Sequence, residues 1–190
     1  MNINELTCGL DFGTSNSIIS LTDKATRKEV FSYSESSILY FPDTNEMKYY
    51  VGKEAQDKYI EEEMTGRLLK SVKTLLRQDK FLSTWIFGKR MTPDQLVTCI
   101  IRHLKEKAEA FAGAEITDVI LGRPAVFSED PKQETLAVNR LTLAARNAVS
   151  ETSNYNWNRL PPPSPMSNGS IIAKTYWLPT SVVVLPTLPS

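Results

Sequence analysis

The sequence predicts a mixed α/β domain followed by a stretch of different character, and three observations predict it. Short runs rich in β-branched and aromatic residues, bounded by polar breaks, fill the N-terminal part. Two later segments repeat apolar residues at helical spacing and flank a buried-type strand. Charge then vanishes: of the 22 basic and 22 acidic residues, only Glu151, Arg159 and Lys174 lie beyond residue 150. Strands first, then helix–strand–helix, is the order of a mixed sheet with flanking helices.

The elements follow in order. CGLDFGTSNSIISL, Cys8 to Leu21, joins two apolar runs through an acid, a glycine and small polar residues, a hairpin with an unusual turn. SIISLTD, KEVFSYS and SSILYF read as short strands. KYYVGKEAQDKYIEEE passes from strand into helix. GRLLKSVKTLLRQ sets Leu68, Leu69, Val72, Leu75 and Leu76 at helical spacing and predicts a helix. TPDQLVTCIIRHLKEKAEAFAG is the clearest helix, with Thr92 as N-cap, Pro93 in the first turn and Gly113 as stop. TDVILGRP is a buried-type strand, and PKQETLAVNRLTLAARNA is a second helix. A chain of 190 residues is long enough for one good core or two small ones.

Bulk properties exclude several classes. Formal net charge is zero, so no global field argues for nucleic acid or an anionic membrane. Cys8 and Cys99 are too few for a disulfide framework; they read as buried thiols of a reducing compartment. No run approaches the roughly 20 apolar residues of a membrane helix, and no signal-peptide pattern opens the chain. A soluble, cytoplasmic protein is expected. His103, the sole histidine, has no metal partner at usable spacing and reads as a packing or surface residue.

Residues 150–190 hold seven of the eleven prolines, among them Pro161, Pro162, Pro163 and Pro165. Such density blocks helices and central strands. The tail reads as a disordered extension ending in an apolar strip, SVVVLP. Its PPPSP has polyproline character, which suits a non-enzymatic interaction module.

The opening hairpin carries the chemistry. Backbone N–H groups around a tight glycine turn form an anion-binding concavity, and hydroxyls add donors. An aspartate at the end of the preceding strand can hold a hydrated Mg²⁺. Asp11, Gly13, Thr14, Ser15 and Asn16 match that division of labour. A plain polar turn with an Asx hydrogen bond uses the same residue types, so both readings stand on these residues alone.

LDFGTSNS resembles the first phosphate loop of the actin-like ATPases, especially the DnaK-type heat-shock chaperones. The likeness continues in order. YYVGKEAQDKY is similar to their VGxxA segment, SVKTLLRQ to the helix bearing their catalytic lysine, and VILGRPAVFSEDPKQETLAVNRLTLAARNA to their VPAYF stretch. The GRP variant is similar to the YegD-like branch of the heat shock protein 70 family. The likeness covers roughly residues 6–149 and implies an incomplete N-terminal subdomain of the actin-like (ribonuclease H-like) ATPase fold.

That resemblance implies roles. Asp11 would be catalytic and would hold Mg²⁺ through water, with Gly13, Thr14, Ser15 and Asn16 around the β- and γ-phosphates of ATP. Lys73 would be the catalytic cation that orients the attacked phosphate, with Lys70 as its rival. Pro124 would relay nucleotide state to the neighbouring domain. Lys132 stands where many relatives carry an arginine, which keeps charge but loses the fork. The implied function is an ATP-binding, ATP-hydrolysing chaperone, with nucleotide, unfolded clients and co-chaperones as partners, and neither nucleic acid nor membrane. A sugar- or acetate-kinase-type phosphotransferase shares the hairpin and is the alternative enzyme.

After AARNA the pattern stops, where VSETSNYNWNRLPPPSPM replaces the expected segment. Taking the third base of each codon with the first two of the next, Val149 to Met166 decodes as FRNIQLQLEPVAAAFAY. Tyr176 to Ser190 decodes as LVADIGGGTSDFTV or nearly so. Both are family segments in the expected order, the second a further phosphate hairpin. The sequence therefore reads as residues 1–149 of a nucleotide-binding domain and an out-of-frame tail at 150–190. A single-nucleotide deletion near the Ala148 codon would produce it. A chain so truncated, with one phosphate loop, is expected to bind ATP weakly or not at all.

Overall fold

The computed structural model describes residues 2–44, 48–80, 83–123, 126–150 and 181–184. In chain order these form β1 (Leu6–Asp11), β2 (Asn16–Asp23), β3 (Glu29–Ser36), β4 (Ile38–Phe41), β5 (Tyr50–Val51), α1 (Gly52–Glu61) and β6 (Arg67–Lys70). There follow a 3-10 helix (Val72–Arg77), β7 (Thr84–Ile86), β8 (Lys89–Met91), α2 (Pro93–Ala112), β9 (Ile120–Arg123), α3 (Pro131–Ser150) and β10 (Ser181–Val184). A short 3-10 turn, Ile3–Glu5, precedes β1.

The main sheet has the order β10-β9-β1-β2-β3. β1, β2 and β3 pair antiparallel in sequence, whereas β9 lies parallel to β1 with Asp11 opposite Gly122. A parallel neighbour needs a long crossover, and the intervening helices supply it. Period-two alternation decides which face is covered. Leu6, Cys8 and Leu10 of β1 and Ile19 and Leu21 of β2 are buried, while Asp11 and Ile18 are exposed.

α2 covers that apolar face with Leu96, Val97, Ile100, Ile101, Leu104 and Ala108, all buried in the same core. It starts and stops where its end residues require. The Thr92 N–H donates to Gln95 Oε1 at 2.9 Å, and Gly113 adopts φ 68° beyond the last turn. α3 packs beside it through Ala137, Ala144, Ala145 and Ala148, all fully buried. Small residues let the two backbones approach, and the Thr98 hydroxyl reaches the Ala144 carbonyl at 3.3 Å.

Two features differ from expectation, and a third carries no expectation from the sequence. Residues 66–78 do not make one helix. Arg67–Lys70 form β6, paired antiparallel with β4, and Val72–Arg77 form the 3-10 helix. Ser71 between them sits at φ 55°, a left-handed residue that no continuous helix accommodates. Leucine spacing in a short segment fits both periods, and the open edge of β4 decided the outcome. Within the tail predicted to be disordered, Ser181–Val184 form β10, antiparallel to β9. An edge strand presents unpaired backbone groups, and a run of valines suits pairing with them. PPPSP and the other tail residues lie outside the described residues, as does Pro124. The third feature is the β7–β8 hairpin, which turns on Phe87 and Gly88, both at positive φ. Phenylalanine there carries no turn signal in sequence.

No helix among the described residues is long and apolar enough to cross a membrane.

Candidate functional site

The loop from Asp11 to Asn16 joins the two central strands where β1 also meets β9. Phe12 plugs the core with no exposure and anchors the loop from below. Gly13 has no substitute: a Cβ there would lie 1.9 Å from the Asn16 carbonyl oxygen.

A closed ring of hydrogen bonds braces this turn. The Gly13 N–H donates to Ser17 Oγ at 3.2 Å, and Ser17 Oγ lies 2.8 Å from Ser37 Oγ. Ser37 Oγ donates in turn to the Gly13 carbonyl at 2.9 Å. The sense of the ring follows, because Ser37 spends its proton on Gly13 and must accept from Ser17. The Ser37 N–H also holds the Ser15 carbonyl at 2.7 Å. With these groups turned inward, Asp11, Thr14, Ser15 and Asn16 stand exposed on the outer side.

Lys73 reaches the same loop from the 3-10 helix. Its Nζ donates to the Phe12 carbonyl, one residue from Asp11, and lies 5.5 Å from the Phe127 ring centroid and 6.0 Å from that of Phe12. Burial lowers the lysine pKa from its ordinary value, and the Asp11 charge opposes that shift. Lys70, by contrast, is the exposed last residue of β6, opposite Ile38. Lys132 is exposed in the first turn of α3, where its N–H donates to Asp130 Oδ1 at 2.9 Å.

Sequence reasoning missed Ser17 and Ser37. Ser17 left a trace, since it occupies a core-facing position in the alternation with Ile19 and Leu21. Ser37 left none, because its role depends on where the link between β3 and β4 passes.

The exposed Thr14 and Ser15 hydroxyls and a lysine with donors to spare suit a phosphate, and the exposed Asp11 carboxylate suits a hydrated divalent cation. The Hsp70 protein family model matches residues 42–144. The chain belongs to the Hsp70 family. Its fold is that of an actin-like ATPase in its N-terminal part, an incomplete mixed sheet with flanking helices. Chaperone protein DnaK of Thermosipho africanus is 30% identical over 139 residues, 70% of this chain and 22% of that protein. The Thermotoga neapolitana protein of the same name is 30% identical over 136 residues, 69% and 22% of the two chains. That of Picrophilus torridus is 42% identical over 50 residues, 26% and 8% of the two chains. The chain thus spans about a fifth of the length of the first two Hsp70 relatives. Hsp70 proteins generally use ATP and Mg²⁺.

The histidine and the two cysteines are packed. His103 lies 6.3 Å from the Tyr33 ring, and burial pulls its pKa below the ordinary histidine range. Cys8 and Cys99 are free and buried, and burial pushes each thiol up to about 12. Among the described residues no group of His, Cys, Asp and Glu is clustered to hold a metal directly.

Proposed function

We propose that residues 1–149 form the first phosphate grip of an ATP-hydrolysing Hsp70-type chaperone. The observation that carries this reading is the meeting of Lys73 with the Phe12 carbonyl, 61 residues away in sequence, beside the braced Asp11–Asn16 loop. In the whole protein, Asp11 would hold a hydrated Mg²⁺, while Thr14, Ser15 and Asn16 would receive the phosphate oxygens on the turn that Gly13 shapes. Lys73 would orient the terminal phosphoryl group for attack by water. ATP with Mg²⁺ supplies a transferable phosphoryl group, and this chain's contribution is positioning and electrostatics. Hydrolysis would drive rotation of one lobe against the other, which is how clients and co-chaperones would be controlled. The two buried free thiols suit a cytoplasmic setting.

The 190-residue chain supplies one side of that grip. Charge-assisted phosphate contacts contribute about 1–3 kcal/mol each, and ordering a triphosphate costs several kcal/mol. Mg-ATP binding is therefore weak, and isothermal titration of the chain tests it; a micromolar dissociation constant refutes the reading. The division at residue 149 and the out-of-frame tail belong to the same proposal. Nucleotide sequencing across the Ala148 codon tests them, and an intact frame there would sink both. The kinase alternative rested on the hairpin, whereas the Hsp70 match covers a different stretch, residues 42–144.

A further inference from the structure

We propose that Arg140 is a positioning residue that seats Lys73 by clamping the end of its 3-10 helix; the role assigned to that lysine rests on the function proposed above. Arg140 projects from α3, 65 residues from the carbonyl of Leu75. Its Nη1 lies 3.2 Å from Leu75 O, 3.1 Å from Leu76 O and 3.0 Å from Gln78 O. One guanidinium nitrogen therefore gathers three carbonyls at the helix's C-terminal end.

The helix needs such help. It has six residues, Val72–Arg77, too few to be stable alone, and 3-10 hydrogen bonds are poorly aligned. It begins at a left-handed residue, Ser71, whose carbonyl accepts from the Thr74 N–H at 2.9 Å and the Thr74 hydroxyl at 2.8 Å. Val72 and Leu76 pin one side to the core. The C-terminal end of a helix favours a cation. Arg140 supplies that cation, with the donors of a single guanidinium nitrogen shared among the three carbonyls. Burial lowers its pKa, but a guanidinium stays charged at any pH a protein survives.

The consequence is a fixed path from α3 to the loop. Arg140 holds the carbonyls of Leu75, Leu76 and Gln78; the helix holds Lys73; Lys73 holds Phe12. Arg77 adds a second, longer tie, with Nη1 3.5 Å from the Phe127 carbonyl before α3.

The test is site-resolved acetylation of the full chain by acetic anhydride at constant pH, read by mass spectrometry as the ratio of Lys73 to the exposed Lys70. Amide hydrogen exchange is followed in parallel over residues 72–77 and over α2. In Arg140→Gln the acetylation ratio rises about tenfold and residues 72–77 lose protection by a similar factor, the order expected for losing a charge-assisted hydrogen bond. Exchange in α2 stays as in the parent chain. Arg140→Lys keeps the charge on a shorter side chain and falls between the two. An unchanged ratio in Arg140→Gln overturns the proposal, as does a lysine variant no better than glutamine. Loss of α2 protection in both variants overturns it as well, since Arg140 would then support the whole domain rather than Lys73. None of these readouts requires nucleotide, so failure here is separate from failure of the Mg-ATP titration.

Discussion

The Ser17 and Ser37 hydroxyls lie 2.8 Å apart beneath the turn, both fully shielded from solvent, and close a ring through the N–H and carbonyl of Gly13. Removing one member strands the others. Ser37→Ala leaves the Gly13 carbonyl and the Ser17 hydroxyl without these partners in a dry site. The expected cost is about 1–3 kcal/mol, read as a lower urea midpoint. In a double-mutant cycle with Ser17→Ala the two losses fall short of additive; strict additivity would show that the hydroxyls do not act together.

Gly13→Ala tests the turn itself. The added carbon meets backbone, the Asn16 carbonyl, at 1.9 Å, so the loop must move rather than a side chain. Destabilisation of about 1–3 kcal/mol follows, with faster amide exchange at Thr14 to Ser17. Wild-type stability and exchange would show that the turn is far softer than its geometry implies.

Lys105 and Glu109 form an ion pair at 2.8 Å with the lysine side chain only 5% exposed. The same Glu109 carboxylate oxygen accepts the Ile116 N–H at 2.8 Å, tying the end of α2 to the approach to β9. Glu109→Ala strands a buried ammonium and is expected to cost about 3–5 kcal/mol, whereas Lys105→Met, which removes the buried charge, costs less. Thermal melts of both variants read the order. Equal melting temperatures would mean that solvent reaches the ammonium.

His103 gives the chain a pH dependence. Burial is the main cause that holds its pKa below the ordinary histidine value; Lys107 acts in the same direction, and Glu35 and Glu54 oppose. Among the described residues, its Nε2 is buried without a hydrogen-bond partner. The folded chain therefore binds this proton less readily than the unfolded chain does. Its contribution to stability is present above the unfolded value of about 6.5 and is lost as pH falls through that value towards the folded one. The urea midpoint should drop between pH 7.5 and pH 5.5 more steeply in the parent chain than in His103→Gln. Parallel pH profiles would remove His103 as the source.

What could be read from the residues alone tracks how local the causes are. α2 was legible because Thr92, Pro93 and Gly113 act within a turn of themselves, and β1 to β4 because alternation and polar breaks are local signals too. The 67–77 segment was not legible, since leucines at that spacing serve a helix or a strand equally and the choice lay with the vacant edge of β4. The β7–β8 hairpin was missed because its turn uses phenylalanine at positive φ. β10 was hidden because valines in a proline-rich stretch reveal nothing about an edge of β9 waiting to be paired.

The residues by themselves determined that an acid, a glycine and three small polar groups sit in one turn between two strands, since those are neighbours along the backbone and need no folding to be assembled. Only the tertiary structure decided what stands around that turn. Ser37 and Lys73 meet it, with Arg140 behind Lys73, although they come from distant parts of the chain. Burial of one apolar sheet face under α2, with α3 packed beside α2 and against the 3-10 helix, brings them there, and no spacing rule along a sequence encodes which distant groups such packing leaves within hydrogen-bond reach.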